Sequence, residues 1–444
     1  MLSKTIKDCL NLIGIESDDY RIVDKITSDS RECTSNSIFI GNKYQEDALN
    51  KQAMVIDNKY ASTLIKYFYD QPSKDYFVIG ITGTNAKTSI SVYLKEILTK
   101  FGYKCIRLGT NYHEFDGRIE ESSNTTMDVM YNLDVFLKYR NKINIIIMEI
   151  STHAIEENRI SFIEFDRIIY TNLSKEHLDY HKTFSHYKHS KFKLRHYLKE
   201  NGKILLNMDD PYLHEMFNFK RDAMITYGKN GRFQIKNIQS SLFETSFMIQ
   251  NILFKTTLCG EYVGINCCAV LCLLDSMGIS LIDCVSKIQT LSMVEGRMEI
   301  FELNNRMIVI DYAHTPAALE SVCRFLNKNK TNRLICVFGC GGDRDSSKRE
   351  IMAQVAALNS DLVIVTEDNN RNETFLDIVK DMKLERFHNV IVIEKRENAC
   401  TCAFHTSQMH DIILVAGKGN EQFLVASGVK TPYNDKTFMK SLER

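Results

Sequence analysis

The residues of this 444-residue chain best suited to chemistry begin with the stretch TGTNAKTS, residues 82–89. It follows an apolar run, FVIGI, and precedes an amphipathic one, ISVYLKEIL, which predicts strand, tight loop and helix. A loop so placed offers backbone N–H groups and the positive end of a helix dipole to a polyphosphate. Gly83, Thr84, Asn85, Ala86, Lys87, Thr88 and Ser89 make up this candidate phosphate loop. Lys87 is suited to reach the β- and γ-phosphates and Thr88 to hold Mg²⁺. The spacing is shorter than the full eight-residue phosphate-loop pattern, because Ile rather than Gly occupies position 81. Ala86 stands where such loops place glycine. A negative φ there makes the extra methyl cheap, whereas a positive φ costs about 1 kcal/mol or more.

Two further residues fit a cation beside phosphate oxygens. Glu149 closes the apolar run INIIIMEI, and His177 follows the next such run within TNLSKEHLDYHK. Oxygen ligands and one imidazole suit Mg²⁺. His177 and His181 are four residues apart, but the glutamate of the H-E-x-x-H zinc pattern is missing, which argues against zinc. Asp179 and His181 read equally well as a polar loop or cap and as functional groups.

These residues need a scaffold that gathers strand ends. From Tyr76 onward, continuous apolar runs alternate with helical stretches, as in parallel strands covered on both faces. YFVIGIT, INIIIMEI and FDRIIYTNL are followed, after VEGRMEIF (294–301), by RMIVIDYAH, RLICVFGCGG, DLVIVTED, NVIVIEK and DIILVAGKG, with helices expected near 315–328 and 347–359. This predicts an α/β protein of doubly wound sheets, divided into a small, weakly patterned head (1–75), a central domain (76–296) and a C-terminal domain (297–444). Polar residues cluster where the strand runs end, the place where open parallel sheets bind ligands, so both sheets are expected to face one cleft.

Composition narrows the function class. Lys plus Arg and Asp plus Glu both number 56, a net charge of zero that gives no pull toward nucleic acid or membrane. No apolar run approaches the 18 residues of a spanning helix, and the N-terminus lacks a signal peptide's apolar core. The 13 cysteines lie scattered in apolar runs with no C-x-x-C pair, as expected of reduced, buried thiols in a cytoplasmic protein.

With these residues assembled, the sequence resembles the Mur ligases, and within them the MurE type, which adds diaminopimelate to UDP-N-acetylmuramoyl-L-alanyl-D-glutamate. The resemblance is carried by SDSR (28–31), TGTNAKTS (82–89), SNTT (123–126), MEISTHAIEENRI (148–160), TNLSKEHLDYHKTFSHYKHSKFKL (171–194), EGRMEIF (295–301), DYAHTPAALE (311–320), VFGCGGDRDSSKR (337–349), TEDNNR (366–371) and VAGKGNE (415–421). It implies a three-domain Mur ligase architecture: a small α/β head, a central parallel-sheet ATPase domain and a C-terminal Rossmann-like domain. It also implies a cytoplasmic monomer that joins a carboxylate to an amine through an acyl phosphate, with ATP and Mg²⁺, in peptidoglycan precursor synthesis.

Residue by residue, the resemblance assigns catalysis to Lys87, His177 and Lys191, with Lys191 carried as a carbamate, and Mg²⁺ to Thr88, Glu149 and His177. Arg297, Asp311, Tyr312 and His314 would join the phosphate loop around ATP. Ser30, Asn124, Thr125, Thr126, Ser151, Glu157 and Arg159 would hold the UDP-muramyl dipeptide. Arg344, Asp368, Asn369, Arg371, Gly417 and Glu421 would clamp the incoming amino acid. The guanidinium of Arg371 can grip the distal carboxylate that distinguishes diaminopimelate from lysine. The chain departs from the family pattern in its short head, at Glu157 (glutamine in the family), at Asn370 (proline) and at Asn420 (histidine). A related ligase acting on another carboxylate carrier or amino acid, and a weak pseudo-enzyme kept as a binding protein, are the alternatives that the sequence leaves open.

Overall fold

The computed structural model describes residues 4–443 other than 111, 116, 123 and 219–222. Ser123 of the SNTT block and the side chain of Asp179 therefore lie outside the described residues. Three sheets of 3, 11 and 6 strands follow one another along the chain, with a 2-stranded hairpin near the C-terminus. The fold is α/β, as the alternating pattern predicts.

The head sheet pairs Lys25–Thr27, Ser37–Ile40 and Met54–Ile56 in parallel. Strands of three or four residues are too short to display a period, which is why the head reads as weakly patterned.

In the central sheet the strand Phe77–Thr82 lies between Ile145–Glu149 and Phe165–Tyr170, parallel to both. Alternation of side chains divides its residues between two cores. Val78 packs with Ile146, Met148 and Ile168 on one face. Ile79 and Ile81 pack on the other with Ile145, Ile147 and the helix residues Ile90, Leu94, Ile97 and Leu98. Those four recur at helical spacing on one stripe of Lys87–Lys100. Each buried aliphatic side chain contributes about 1.5–3 kcal/mol, so the helix is anchored and its first turn is held over the strand ends. Register places Ile81 opposite Glu149 and Thr82 opposite Tyr170. The phosphate loop, Glu149 and Thr171 thus emerge side by side.

The sheet is extended by antiparallel pairs that the apolar runs do not reveal. Thr245–Ile249 and Ile252–Thr256 form one, and Tyr112–Phe115 and Arg118–Glu121 the other. The solvent-facing strand Arg118–Glu121 is exposed throughout, so it lacks an apolar signature.

The C-terminal sheet has the order Glu299–Leu303, Arg306–Asp311, Ile412–Ala416, Leu334–Phe338, Leu362–Val365, Val390–Val392. Only the first pairing is antiparallel. Helices Pro316–Asn329 and Ser347–Asn359 fall where the sequence predicts them. The carboxyl ends of these strands face the phosphate-loop side of the central domain. One cavity there is lined by Glu176 and His177 of the central domain and by Tyr312, His314, Gly339 and Gly417 of the C-terminal domain. All 13 cysteines are free, and all but Cys402 are buried. Among the described residues no helix is long and apolar enough to cross a membrane.

Candidate functional site

The phosphate loop is fixed from the neighbouring strand end. Thr84 N–H donates to the Asn172 carbonyl (2.9 Å), and Thr171 Oγ1 donates to the Asn85 carbonyl (2.7 Å). Gly83 has no alternative: at φ 154°, a Cβ would sit 1.8 Å from Thr171 Oγ1. Ala86, at φ 72° and ψ −5°, is left-handed and caps the helix. The methyl therefore sits in the conformation that costs an L-residue about 1 kcal/mol or more.

Two lysines converge on one carbonyl. Lys87 Nζ donates to Gly83 O (2.8 Å) and Thr84 O (2.9 Å), and Lys191 Nζ donates to the same Gly83 O (2.9 Å). Lys191 is 2% exposed. Burial, and then the charge of Lys87, lowers its pKa well below the ordinary lysine value. Lys87 is lowered too, by burial, with Glu176 and Glu149 opposing.

Glu149 is fully buried and fully paired. Its Oε2 accepts from Thr88 Oγ1 (2.9 Å) and Thr110 Oγ1 (2.8 Å). Its Oε1 accepts from Ser91 Oγ (2.8 Å) and Arg107 Nη1 (2.9 Å). A threonine hydroxyl touching a carboxylate beside a phosphate loop is a donor set that suits a hard cation. Among the described residues no three His, Cys, Asp or Glu converge as a metal cluster. That is compatible with Mg²⁺, which is commonly held by one or two carboxylates together with substrate phosphates.

His177 belongs to a different group. Its ring lies edge-on to His153 (5.0 Å between centroids) and near Tyr187 (6.2 Å). Burial lowers its pKa to about 4, Glu176 opposing and His153 assisting, so at neutral pH the imidazole keeps a free lone pair. Glu176 binds across the cleft: its Oε1 is 2.9 Å from His314 Nε2. Burial pushes its pKa up, but the hydrogen bond with His314 and the charges of His177, His314 and Lys87 outweigh that and hold it below the usual carboxylate range.

Asn85, Ala86, Ser89, Arg297, Asp311 and Tyr312 share one cavity of about 260 Å³. Arg297 stacks over the Tyr312 ring at 4.2 Å, and Asp311 accepts from Met298 N–H (2.6 Å). His314 faces the adjoining cavity instead.

That second cavity, about 140 Å³, is lined by all six residues expected to clamp an amino acid: Arg344, Asp368, Asn369, Arg371, Gly417 and Glu421. Lys418, 0% exposed, ties three of them together. Its Nζ contacts Glu421 Oε2 (2.7 Å), Asn369 Oδ1 (3.1 Å) and Asp368 Oδ1 (3.7 Å). Arg371 is itself left-handed (φ 52°), and its Nη1 donates to Gly342 O (2.7 Å).

The residues expected at the dipeptide are mostly contiguous. Thr110 Oγ1 lies 3.1 Å from Thr125 Oγ1, and Thr126 Oγ1 donates to the Glu149 carbonyl (2.7 Å) and accepts from Ser151 N–H (3.1 Å). Arg159 Nη1 donates to Thr126 O (3.0 Å), and its Nε donates to Glu157 Oε2 (2.8 Å). Glu157 therefore forms an ion pair with Arg159, where an amide could not. Asn124 is exposed beside them. Ser30 sits in the head, where it begins the short helix Ser30–Glu32 and its carbonyl accepts from Lys51 Nζ (2.8 Å).

Lys418 is among the polar residues expected at strand ends, but Glu176, Arg107, Ser91, Thr110 and Tyr187 were not expected at the site. Two of them carried a signal. Arg107 is the one charge in the apolar strand CIRL, an arrangement that demands a buried partner. Glu176 directly precedes His177 at a strand end. The others are ordinary polar residues whose roles depend on tertiary neighbours.

The sequence matches two protein families, the Mur ligase middle domain over residues 81–274 and the glutamate ligase domain of Mur ligases over residues 296–419. It is 34% identical to the UDP-N-acetylmuramoyl-L-alanyl-D-glutamate–2,6-diaminopimelate ligase of Aquifex aeolicus, covering 84% of this chain and 79% of that protein. The Clostridium botulinum protein of the same name is 33% identical, with 95% of each covered. Among solved structures, one of a ligase of that name superposes with a TM-score of 0.68 at 27% identity, covering 99% of both chains. The MurF ligase of Thermotoga maritima, solved with ADP, shares the fold at a TM-score of 0.67 and 17% identity, covering 88% of this chain and 93% of that one. The chain belongs to the Mur ligase family.

Proposed function

We propose that the chain is an ATP-dependent, ADP-forming ligase that adds meso-diaminopimelate to UDP-N-acetylmuramoyl-L-alanyl-D-glutamate in peptidoglycan precursor synthesis. The observation that carries this reading is the charge pattern of the clamp cavity. Arg344, Lys348 and Arg371 line it together with Glu176, Asp368 and Glu421. Cations and anions arranged in one cavity match a substrate that bears two ammonium and two carboxylate groups.

The chemistry needs an activated carboxylate, because hydroxide is a poor leaving group. The γ-phosphoryl of ATP passes to the carboxylate, giving ADP and an acyl phosphate. The amine nitrogen then bonds to the carbonyl carbon, the carbon–oxygen bond to phosphate breaks, and the amine gives up a proton. Loop N–H groups and Lys87 neutralise charge developing on the transferred phosphoryl. Thr88 and Glu149 would hold Mg²⁺ beside the loop, and His177 would offer its imidazole to Mg²⁺ from its separate group; when bound, the ion would supply further neutralisation of the phosphate oxygens. Arg297, Asp311 and Tyr312 border the nucleotide. Thr126, Ser151 and Arg159 hold the acceptor carboxylate, and the Asp368–Asn369–Lys418–Glu421 network orients the amine.

Lys191 is the position for a carbamate. Formation requires an unprotonated amine, and burial beside Lys87 favours that form. The added negative charge would then face Lys87 and relieve the repulsion between two cations at Gly83 O.

The test is phosphate release by purified protein with ATP, Mg²⁺ and UDP-muramyl dipeptide, with single amino acids added in turn. Release that depends on diaminopimelate is the expected result. Release with another amino acid only, or with none, refutes the substrate assignment.

A further inference from the structure

Arg107 is 0% exposed, and its guanidinium reaches the carboxylate that the proposed function gives to Mg²⁺. It is held on three sides. Nη1 contacts Glu149 Oε1 (2.9 Å) and Ser91 Oγ (3.4 Å), Nη2 donates to Tyr112 O (3.0 Å), and the group lies 4.2 Å from the centre of the Tyr112 ring. The backbone has been shaped around the contact. A Cβ on Gly109 would fall 2.2 Å from Glu149 Oε1 and 2.5 Å from Arg107 Nη1.

The orientation of Glu149 does not need this cation, because the hydroxyls of Thr88, Ser91 and Thr110 already hold both of its oxygens. Lys87 acts on Glu149 through space, whereas Arg107 puts a full positive charge in direct contact with Oε1, the other oxygen from the Thr88 contact at Oε2. A buried carboxylate without a counter-charge is costly, and a second cation approaching a carboxylate that is already paired is attracted less.

We propose that Arg107 is a resident counter-cation, a positioning residue that neutralises Glu149 in the metal-free protein and thereby raises the Mg²⁺ concentration needed for nucleotide binding. The proposal rests on the reading of Glu149 as an Mg²⁺ ligand. Electrostatically, the protein keeps its phosphate site folded and balanced without metal and accepts Mg²⁺ productively only when the charge of the nucleotide arrives with it.

The experiment titrates Mg²⁺ against the full-length protein at fixed ADP, reading ADP binding by calorimetry and the unfolding midpoint in parallel. Arg107→Gln keeps a donor for Oε1 but removes the charge, and Arg107→Lys keeps the charge. The half-saturating Mg²⁺ concentration should fall about fivefold or more in Arg107→Gln and stay within about twofold of wild type in Arg107→Lys. Arg107→Gln should also gain more thermal stabilisation from Mg²⁺ than wild type gains. A purely structural role lowers the unfolding midpoint but leaves the half-saturating Mg²⁺ unchanged, and that result overturns the proposal. Should Arg107→Gln fold poorly, recovery by Mg²⁺ and ADP supports it. Failure to recover at any Mg²⁺ concentration overturns it, because a cation that Mg²⁺ cannot replace is structural. If wild type binds ADP independently of Mg²⁺, it is the metal assignment itself that fails.

Discussion

Ala86 holds φ 72° in the left-handed region at the start of the phosphate-loop helix, so Ala86→Gly relieves a local strain of about 1 kcal/mol. Two effects oppose the gain. The methyl packs partly against the core that contains Ile79 and Ile90, and losing it costs about 0.4 kcal/mol if half of its contact is buried. Glycine also gives the unfolded chain more freedom, which costs about 0.5 kcal/mol. The balance is close to zero, so the unfolding midpoint should barely move. Nucleotide binding has a different balance, because it compares two folded states. Strain already present in the free loop cancels, so only strain that alanine adds on closing around phosphate counts; if glycine relieves about 1 kcal/mol of that, ADP or ATP binding tightens about fivefold. Isothermal calorimetry with ADP and Mg²⁺, together with turnover under saturating substrates, measures both. Affinity equal to wild type or up to about fivefold tighter, with activity equal or higher, is expected. Binding weakened by more than about fivefold refutes the reasoning and means that neighbouring residues have been refitted around the methyl.

Other outcomes test the rest of the site. Arg371→Ala removes a guanidinium from the clamp cavity and should raise the KM for diaminopimelate roughly 30-fold or more, with ATP affinity nearly unchanged; equal loss of both contradicts the clamp assignment. Lys191→Arg should abolish turnover and also any carbamyl signal from labelled bicarbonate seen by carbon NMR in the wild type. A signal that survives in the variant places the carbamate elsewhere. His113, 1% exposed, has its pKa lowered from 6.5 to about 4 by burial and then by the charge of Arg107. Between those values the unfolded chain binds the extra proton, so this stability is present above pH 6.5 and lost as the pH falls toward 4, up to about 3 kcal/mol. Urea unfolding of His113→Gln should show a flatter pH dependence across that window, and an unchanged slope removes His113 from the account.

The class of fold and the candidate chemistry-bearing residues were legible in the sequence alone. Strand–loop–helix around TGTNAKTS, the apolar runs and the polar strand ends are local patterns. Side-chain alternation and helical spacing make such patterns legible within a few residues. The six residues proposed to clamp the amino acid came from the family resemblance; that they line one cavity follows from parallel strands bringing their ends together. The sign of φ at residue 86 was undecidable from the residue alone, since alanine tolerates several conformations, and the fixed ends of the loop at Thr171 and Asn172 decided it. Arg107 and Glu149 lie 42 residues apart, and Glu176 and His314 lie 138 apart. No local pattern connects such pairs. Only the strand order, which sets Cys105–Leu108 beside Ile145–Glu149, and the meeting of the two sheets across the cleft made the one a buried ion pair and the other a bridge between domains.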